Sequence, residues 1–380
     1  MNSEKLNITY FSNQFATAQG HGIARYAREL HEELSLMPSL NVTPVAAWSS
    51  MLPEDLKDFK AKTNLRILPF GRRLAPLAWT YLKSPPIEKW MSCNVDVVHA
   101  LSLGYPVATR KPFVVTVHDL GPLTHPEYFT NTKPWIMKLA LGQMVKQADA
   151  IICVSQSTAD EVSNYVGSHI ESRLHVVHEG VADAFFTRTD PACLDNLSLP
   201  AKNVPFILAA GKISPRKNVQ GILKALSIIK NDIPHHLVLV GGSGWEMQMV
   251  SEVLKEEGLS TRVHFTGFVT DEQLRALYAS AALYVHPSLY EGFGLTVLEA
   301  MASGTPVITS NSSSLPEVSG DAGRLVEPSN VEELAAAMNE ICNDETLALS
   351  MKRAGINRAK GFKWSECAAK VSDVYNLIAK

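Results

Sequence analysis

Short apolar runs alternate with amphipathic stretches along nearly the whole chain. In the first half the runs fall at residues 6–11, 95–100, 113–118, 150–154 and 174–178. Between the first two, Ile23, Tyr26, Ala27, Leu30 and Leu34 stand at i, i+3, i+4, i+7 and i+11, one stripe of a helix. The second half repeats the rhythm, with runs at 206–210, 237–240, 263–266, 283–286 and 306–309. Continuous apolar strands separated by helices predict parallel sheets covered on both faces. Two such sets predict an α/β protein of two doubly wound, Rossmann-like domains. The polar segment 187–204 carries Pro191 and Pro200 and reads as a linker. The expected division is therefore 1–186, the linker 187–204, and a second domain from 205. On folds of this kind ligands sit outside the carboxyl ends of the strands.

Composition narrows the class. Of 380 residues, 46% are hydrophobic and 19% charged, and the net charge is −3. That balance is ordinary for a globular protein and supplies no field that would gather nucleic acid. The five cysteines are scattered, odd in number and never spaced C-x-x-C, which argues against a disulfide framework and a zinc site. The first residues do not read as a signal peptide, and no apolar run reaches the roughly 18 residues of a membrane span. A reduced, cytoplasmic chain is the simplest expectation. One window departs from the average. Residues 57–90 hold eight Lys or Arg against Asp58 and Glu88 alone, a net +6, with Trp79, Tyr81 and Trp90 interleaved. Such a mixture suits an anionic membrane surface or a lipid-diphosphate acceptor, and equally a solvated face over core aromatics.

The chemistry gathers at predicted strand ends. Glu291-Gly-Phe-Gly-Leu-Thr-Val-Leu-Glu299 joins a strand to a helix and holds two carboxylates eight positions apart, a spacing that puts helical residues on nearly one face. Gly292, Phe293, Gly294 and Leu295 would offer backbone N–H groups at a helix N-terminus, where an anion is favoured. Gly211-Lys-Ile-Ser-Pro-Arg-Lys-Asn218 puts Lys212, Arg216 and Lys217 on another strand-to-helix loop, with Asn218 as a helix cap. These cations suit a diphosphate, though an ordinary basic loop would read the same. Gly241-Gly-Ser-Gly244 is a weaker glycine turn. Gly20-His-Gly22 leads into the first helix, where Gly22 would let backbone approach a phosphate; a plain tight turn fits as well. His118 closes a strand, and as a neutral imidazole could donate to a sugar hydroxyl or to a carbonyl.

Together these residues resemble the retaining glycosyltransferases of family 4, which have the GT-B fold. The matching stretches run in order: Gly-His-Gly-Ile-Ala-Arg-Tyr, Thr-Val-His-Asp-Leu at 116–120, and Ala-Asp-Ala-Ile-Ile-Cys-Val-Ser at 148–155. Pro-Arg-Lys-Asn at 215–218, the Glu291/Glu299 pair and Ser-Ser-Leu-Pro-Glu-Val at 313–318 follow. The resemblance implies two domains facing across a cleft, the second at 205–361 and taking the nucleotide sugar. It makes 362–380 a helix crossing back to the first, acceptor-binding domain. It implies that Glu299 holds ribose hydroxyls and that Glu291 holds a hydroxyl of the transferred sugar, helped by N–H groups from Phe293 to Leu295. Arg216 and Lys217 would stabilise the departing diphosphate, with Gly22 approaching from the first domain. His118 would touch the sugar near C6, and Val269 would meet the base through its backbone. No metal or other cofactor is implied, and no D-x-D triplet occurs. Asp271 could accept from guanine N1–H and N2–H, which points to GDP-mannose; Thr270-Asp-Glu-Gln273 is also a helix capping box. A UDP-sugar donor, a nucleotide-sugar epimerase and a silent sugar-nucleotide binder are the alternatives. The expected partners are a nucleotide sugar and a lipid-linked or oligosaccharide acceptor at the inner face of a membrane.

Overall fold

A computed structural model describes residues 5–16, 22–48, 59–71, 78–129, 134–242 and 247–379. The chain forms two compact units. Among the described residues, the first takes those within 1–124, 132–180 and 363–380, and the second those within 125–131 and 181–362. The stretch 187–204, expected as a linker, thus belongs to the second unit. Gln273 holds it there, its Nε2 donating to Cys193 O at 3.1 Å and to Asn196 Oδ1 at 3.0 Å.

Among the described residues, the first unit is built on seven parallel strands: β1 (Leu6–Phe11), β2 (Leu40–Trp48), β3 (Arg66–Gly71), β4 (Val97–Ala100), β5 (Phe113–Val117), β6 (Ala150–Cys153) and β7 (Leu174–Val176). Their order is β3-β2-β1-β4-β5-β6-β7. Strands β4, β5 and β6 are buried at every position, which is why they read as unbroken apolar runs. Two strands lack that signature. Asn41, Thr43 and Pro44 interrupt β2, and β3 is an edge strand with Arg66 and Pro69. Arg66 of the basic window therefore lies in the sheet, and Trp79 is core, packed edge-on against Phe11 and Tyr105.

Helices α1 (Gly22–Ser35), α2 (Pro134–Gln147) and α3 (Gln156–Val166) belong to this unit. On α1 the predicted stripe turns inward, burying Tyr26, Ala27, Leu30 and Leu34 with Ala24 and His31. Ser155 caps α3 by accepting from Thr158 N–H.

The second unit carries β8 (Phe206–Ala210), β9 (His236–Val240), β10 (Val263–Gly267), β11 (Leu283–His286), β12 (Val307–Ser310) and β13 (Arg324–Val326). All are parallel, in the order β10-β9-β8-β11-β12-β13. At three residues β13 is too short to register as an apolar run. Helices α4 (Val219–Ile229), α5 (Met247–Glu256), α6 (Asp271–Ser280), α7 (Leu295–Ala302), α8 (Val331–Asn343) and α9 (Glu345–Ala359) belong to it.

The last helix, α10 (Trp364–Ile378), returns to the first unit. Its buried stripe includes Trp364, Cys367, Ala368, Val371 and Tyr375, a helical period that explains the docking. Tyr375 reaches the centre of the sheet, its hydroxyl 2.7 Å from Nδ1 of His99, whose Nε2 lies 2.8 Å from Thr116 Oγ1. Burial pushes the His99 ring down to about 3, so it stays neutral and bridges two hydroxyls. At Gly180 a Cβ would stand 2.4 Å from Trp364 N, so only glycine lets α10 begin there. Gly180→Ala should therefore lower stability by roughly 1–3 kcal/mol through overpacking, read as a shift of the urea midpoint without a change in slope.

Candidate active site

Strands β8, β9 and β10 lead at their carboxyl ends into Gly211, Gly241 and Gly267, all with positive φ. A Cβ on Gly241 would lie 2.4 Å from Gly211 O, so the backbones meet too closely for any side chain. Close packing therefore explains the Gly241 turn; Ser243 and Gly244 lie outside the described residues. Beyond Gly211, a short turn over Pro215–Lys217 leads to Asn218 in the left-handed region at φ 52°. Asn218 caps α4 as expected, accepting from Gly221 N–H at 3.3 Å. Its Nδ2 also donates to Pro287 O at 3.3 Å and Pro328 O at 2.7 Å, tying this loop to those after β11 and β13. Lys212 stays exposed, outside the cluster that Arg216 and Lys217 form.

Glu291 lies in the loop after β11, ahead of α7, so the two carboxylates do not share a helix face. Gly294 makes the turn into α7 at φ 116°, where a Cβ would stand 2.8 Å from Leu315 Cδ2. Serines fix the loop. Ser313 Oγ accepts from Glu291 N–H at 2.9 Å, and Ser314 Oγ donates to Glu291 O at 3.0 Å and Phe293 O at 2.7 Å. The stretch 313–318 was legible as a motif, but this bracing role was not.

The Glu291 carboxylate is the centre of the site. Its Oε2 pairs with Arg216 Nη1. Its Oε1 accepts from Lys217 Nζ at 2.6 Å and lies 3.1 Å from His286 Nε2. Arg216 also donates to Tyr290 O at 3.1 Å, with its guanidinium 6.0 Å from the centre of the Phe129 ring. Burial opposes ionisation of Glu291, yet Arg216 and then Lys217 hold its carboxyl well below the usual range. Burial likewise pushes Lys217 down to about 8, against the pull of Glu291, and His286 down to about 4. Two cations against one carboxylate leave the cluster near +1 at neutral pH. It stands beside the turn that opens α7, so the site favours an anion.

The other predicted residues are placed as follows. Glu299 is buried on α7, and its Oε2 accepts from Tyr278 O–H at 3.3 Å. Phe293 is buried and Val269 is half-buried just before α6. Asp271 opens α6 and is exposed, and the capping box between Thr270 and Gln273 is formed on both sides. In the first unit, Gly22 is the exposed first residue of α1, while Gly20 and His21 lie outside the described residues. Of the two partners expected for His118, a sugar hydroxyl or a carbonyl, the structure shows the carbonyl. Its Nε2 is 3.0 Å from Leu101 O and its Nδ1 is 3.1 Å from Glu179 Oε1.

A second surface lies wholly in the first unit. Lys83, Trp135, Lys138, Gly142, Gln143 and Lys146 help line a groove of ≈ 780 Å³. Gln147 pins its helical wall through Nε2 to Thr109 O at 2.8 Å. Trp135, Tyr81 and Leu82 are each more than half exposed. In the basic window, Lys57, Arg72 and Arg73 fall outside the described residues.

The chain's two parallel α/β units, the second with a cationic cluster at its strand ends, match the two domains of known glycosyltransferases. Residues 20–185 match the model of "Glycosyltransferase Family 4" and residues 196–358 that of "Glycosyl transferases group 1". The chain is 30% identical over 368 residues to O-antigen chain mannosyltransferase B of Escherichia coli, covering 94% of this chain and 96% of that one. Its fold is similar to sucrose-phosphate synthase from Thermosynechococcus elongatus, with a TM-score of 0.79 at 21% identity over 98% of this chain and 99% of that one. It is also similar to Anabaena Alr3699/HepE in complex with UDP-glucose, with a TM-score of 0.76 at 18% identity over 98% and 100%. The chain belongs to the family 4 glycosyltransferases and has the GT-B fold.

The lysine makes a pH prediction. With burial pushing its amine down to about 8, Lys217 should lose its proton in the free protein as pH rises through that range. Affinity for GDP or UDP, measured by calorimetry, should weaken above that pH. Lys217→Arg, charged throughout, should abolish the alkaline loss.

Proposed function

We propose that the protein is a retaining, metal-independent α-mannosyltransferase that takes GDP-mannose and extends a lipid-linked or polysaccharide acceptor in cell-envelope glycan synthesis. The observation that carries the reading is the Arg216–Glu291–Lys217 cluster beside the N-terminus of α7. Breaking the anomeric bond develops negative charge on the diphosphate and positive charge on the sugar. Preorganised cations and amides facing the diphosphate are the largest stabilising term for such a step, and they need no metal. Arg216 and Lys217 take the diphosphate, Glu291 a sugar hydroxyl, and Glu299 the ribose. In this retaining reading the leaving phosphate accepts the acceptor's proton, so no separate general base is assigned. Mannose as the sugar is supported by the likeness to the Escherichia coli O-antigen mannosyltransferase. Guanine is supported by the exposed carboxylate of Asp271 at the head of α6. A UDP-sugar donor is the second reading, favoured by the completed capping box, which gives Asp271 a place without any base.

The acceptor reading places a membrane near the first unit. Lys83, Lys138 and Lys146 line one groove, with Trp135 beside them. That is the chemistry of contact with anionic headgroups, which attract basic residues by about 1 kcal/mol each. Among the described residues no helix is long and apolar enough to cross a membrane, so the contact would be peripheral.

Thermal shift with GDP and UDP in EDTA tests the donor. A true ligand at about 100 times its dissociation constant raises stability by about 2.7 kcal/mol. Stabilisation by GDP alone is expected, and stabilisation by UDP alone would move the donor to the second reading. Lys217→Ala should slow turnover on the order of 10²–10³-fold, as removal of one preorganised anion-stabilising donor does; near-normal turnover would take Lys217 out of the mechanism. Cosedimentation with vesicles of phosphatidylglycerol should fall when Lys138 and Lys146 are both replaced by Glu, and unchanged pelleting would remove the groove from membrane contact.

A further inference from the structure

In the free protein the ligands of the diphosphate are already occupied. Arg216 and Lys217 both pair with Glu291, the carboxylate assigned to the sugar. A nucleotide sugar would bring its own charges to the two cations. A buried carboxylate that loses its cations is costly unless other donors remain. Among the described residues, His286 is a donor that would remain on the protein side. It closes β11, is 3% exposed, and puts Nε2 3.1 Å from Glu291 Oε1. Ser288 Oγ lies 3.1 Å from the same nitrogen.

The proton on the ring is assigned by its neighbours. The Tyr284 hydroxyl is 3.0 Å from Nδ1, and burial pushes that phenol up, so it keeps its proton and can donate. An ionised Glu291 can only accept. The neutral ring therefore carries hydrogen on Nε2, donating to Glu291, and accepts at Nδ1 from Tyr284. Lys217 Nζ stands farther off, 3.5 Å from Nε2, and turns to Glu291 instead. The groups facing His286 are thus Tyr284, Ser288, Glu291, Lys217 and, through its charge, Arg216.

We propose that His286 is a positioning residue that keeps Glu291 aimed at the sugar hydroxyl while Arg216 and Lys217 pass from that carboxylate to the donor diphosphate. The inference rests on the glycosyltransferase site described above. It separates two functions that share one cluster: the cations are exchangeable, and the imidazole N–H is permanent. Removing the N–H should harm recognition of the sugar more than recognition of the diphosphate. With the imidazole gone, Glu291 would lose the donor that fixes its orientation and be less available to the hydroxyl.

The test is a pair of affinities measured by calorimetry on the full chain, for GDP-mannose and for GDP, with UDP-glucose and UDP as a second pair. Native protein should bind one sugar nucleotide more tightly than its bare nucleotide. His286→Leu should shrink that ratio about 10-fold or more, the scale of a lost hydrogen bond to a charged group, while GDP or UDP affinity changes less. His286→Gln, which can return an N–H to the same place, should restore most of the ratio. Tyr284→Phe, which leaves the ring but frees its tautomer, should shrink the ratio in the same direction and guards against a His286→Leu chain that does not fold. Equal losses for both ligands, an unchanged ratio, or a Gln variant no better than Leu would each overturn the proposal. Native protein that binds no nucleotide and no sugar nucleotide would instead defeat the donor-site reading beneath it.

Discussion

The site depends on one buried carboxylate held between two cations. Glu291 keeps its charge in a largely desolvated place because Arg216 and Lys217 meet its two oxygens. Lys217 depends on it: burial pushes that amine down to about 8, against the pull of Glu291. A buried ion pair of this sort adds little net stability, since desolvation offsets most of the attraction. Its value is that the charges are in place before any ligand arrives. The loops after β8 and β11 are brought together by that pairing and by Leu289 N–H donating to Arg216 O at 2.8 Å.

Around the carboxylate the structure supplies rigidity by different means on each side. Glycine permits the sharp turns, with Gly294 opening α7 and Gly241 crossing Gly211. Serine braces the 291–293 turn, and Asn218 ties three loops with one amide. Beneath lies a layer of aromatic and imidazole groups. Tyr278 donates to Glu299, Tyr284 contacts His286, and the two phenol rings pack edge to face at 5.3 Å. Both carboxylates are therefore supported from the same buried layer, although they belong to a loop and to a helix.

The first unit solves a separate problem with similar groups. His99 bridges Tyr375 and Thr116, so the last helix is joined to the centre of a sheet whose strands end before residue 180. Apolar burial along α10 supplies the attraction, and Gly180 admits its first residue. His118 and Glu179 form a second buried pair close in sequence to β5 and β7: Nδ1 faces Glu179 and Nε2 faces Leu101 O, so both ring nitrogens are turned into the protein.

Much of this was legible in the chain. Parallel strands buried on both faces must be continuously apolar, so β4, β5, β6, β8, β9 and β11 announce themselves. A loop with Pro-Arg-Lys-Asn after one strand, and Glu-Gly-Phe-Gly after another, states its chemistry because few other purposes need those residue types together. Strands β2, β3 and β13 were not legible, since a proline, an edge position and a length of three erase the pattern. Spacing along the chain also misled at Glu291, where the helical period does not extend into the loop. Local sequence determines which segments are strands, helices and turns, and which side chains carry charge. Tertiary structure alone decided that Glu291 meets Arg216, Lys217 and His286, that His118 faces Glu179, and that Tyr375 of α10, the helix the resemblance had already assigned to the first domain, meets His99. Those contacts join residues from about 60 to nearly 280 positions apart or, for His286, across a turn whose shape is set by Ser313 and Ser314. No local pattern encodes a distance of that kind; it is fixed by how the strands order themselves in the sheets.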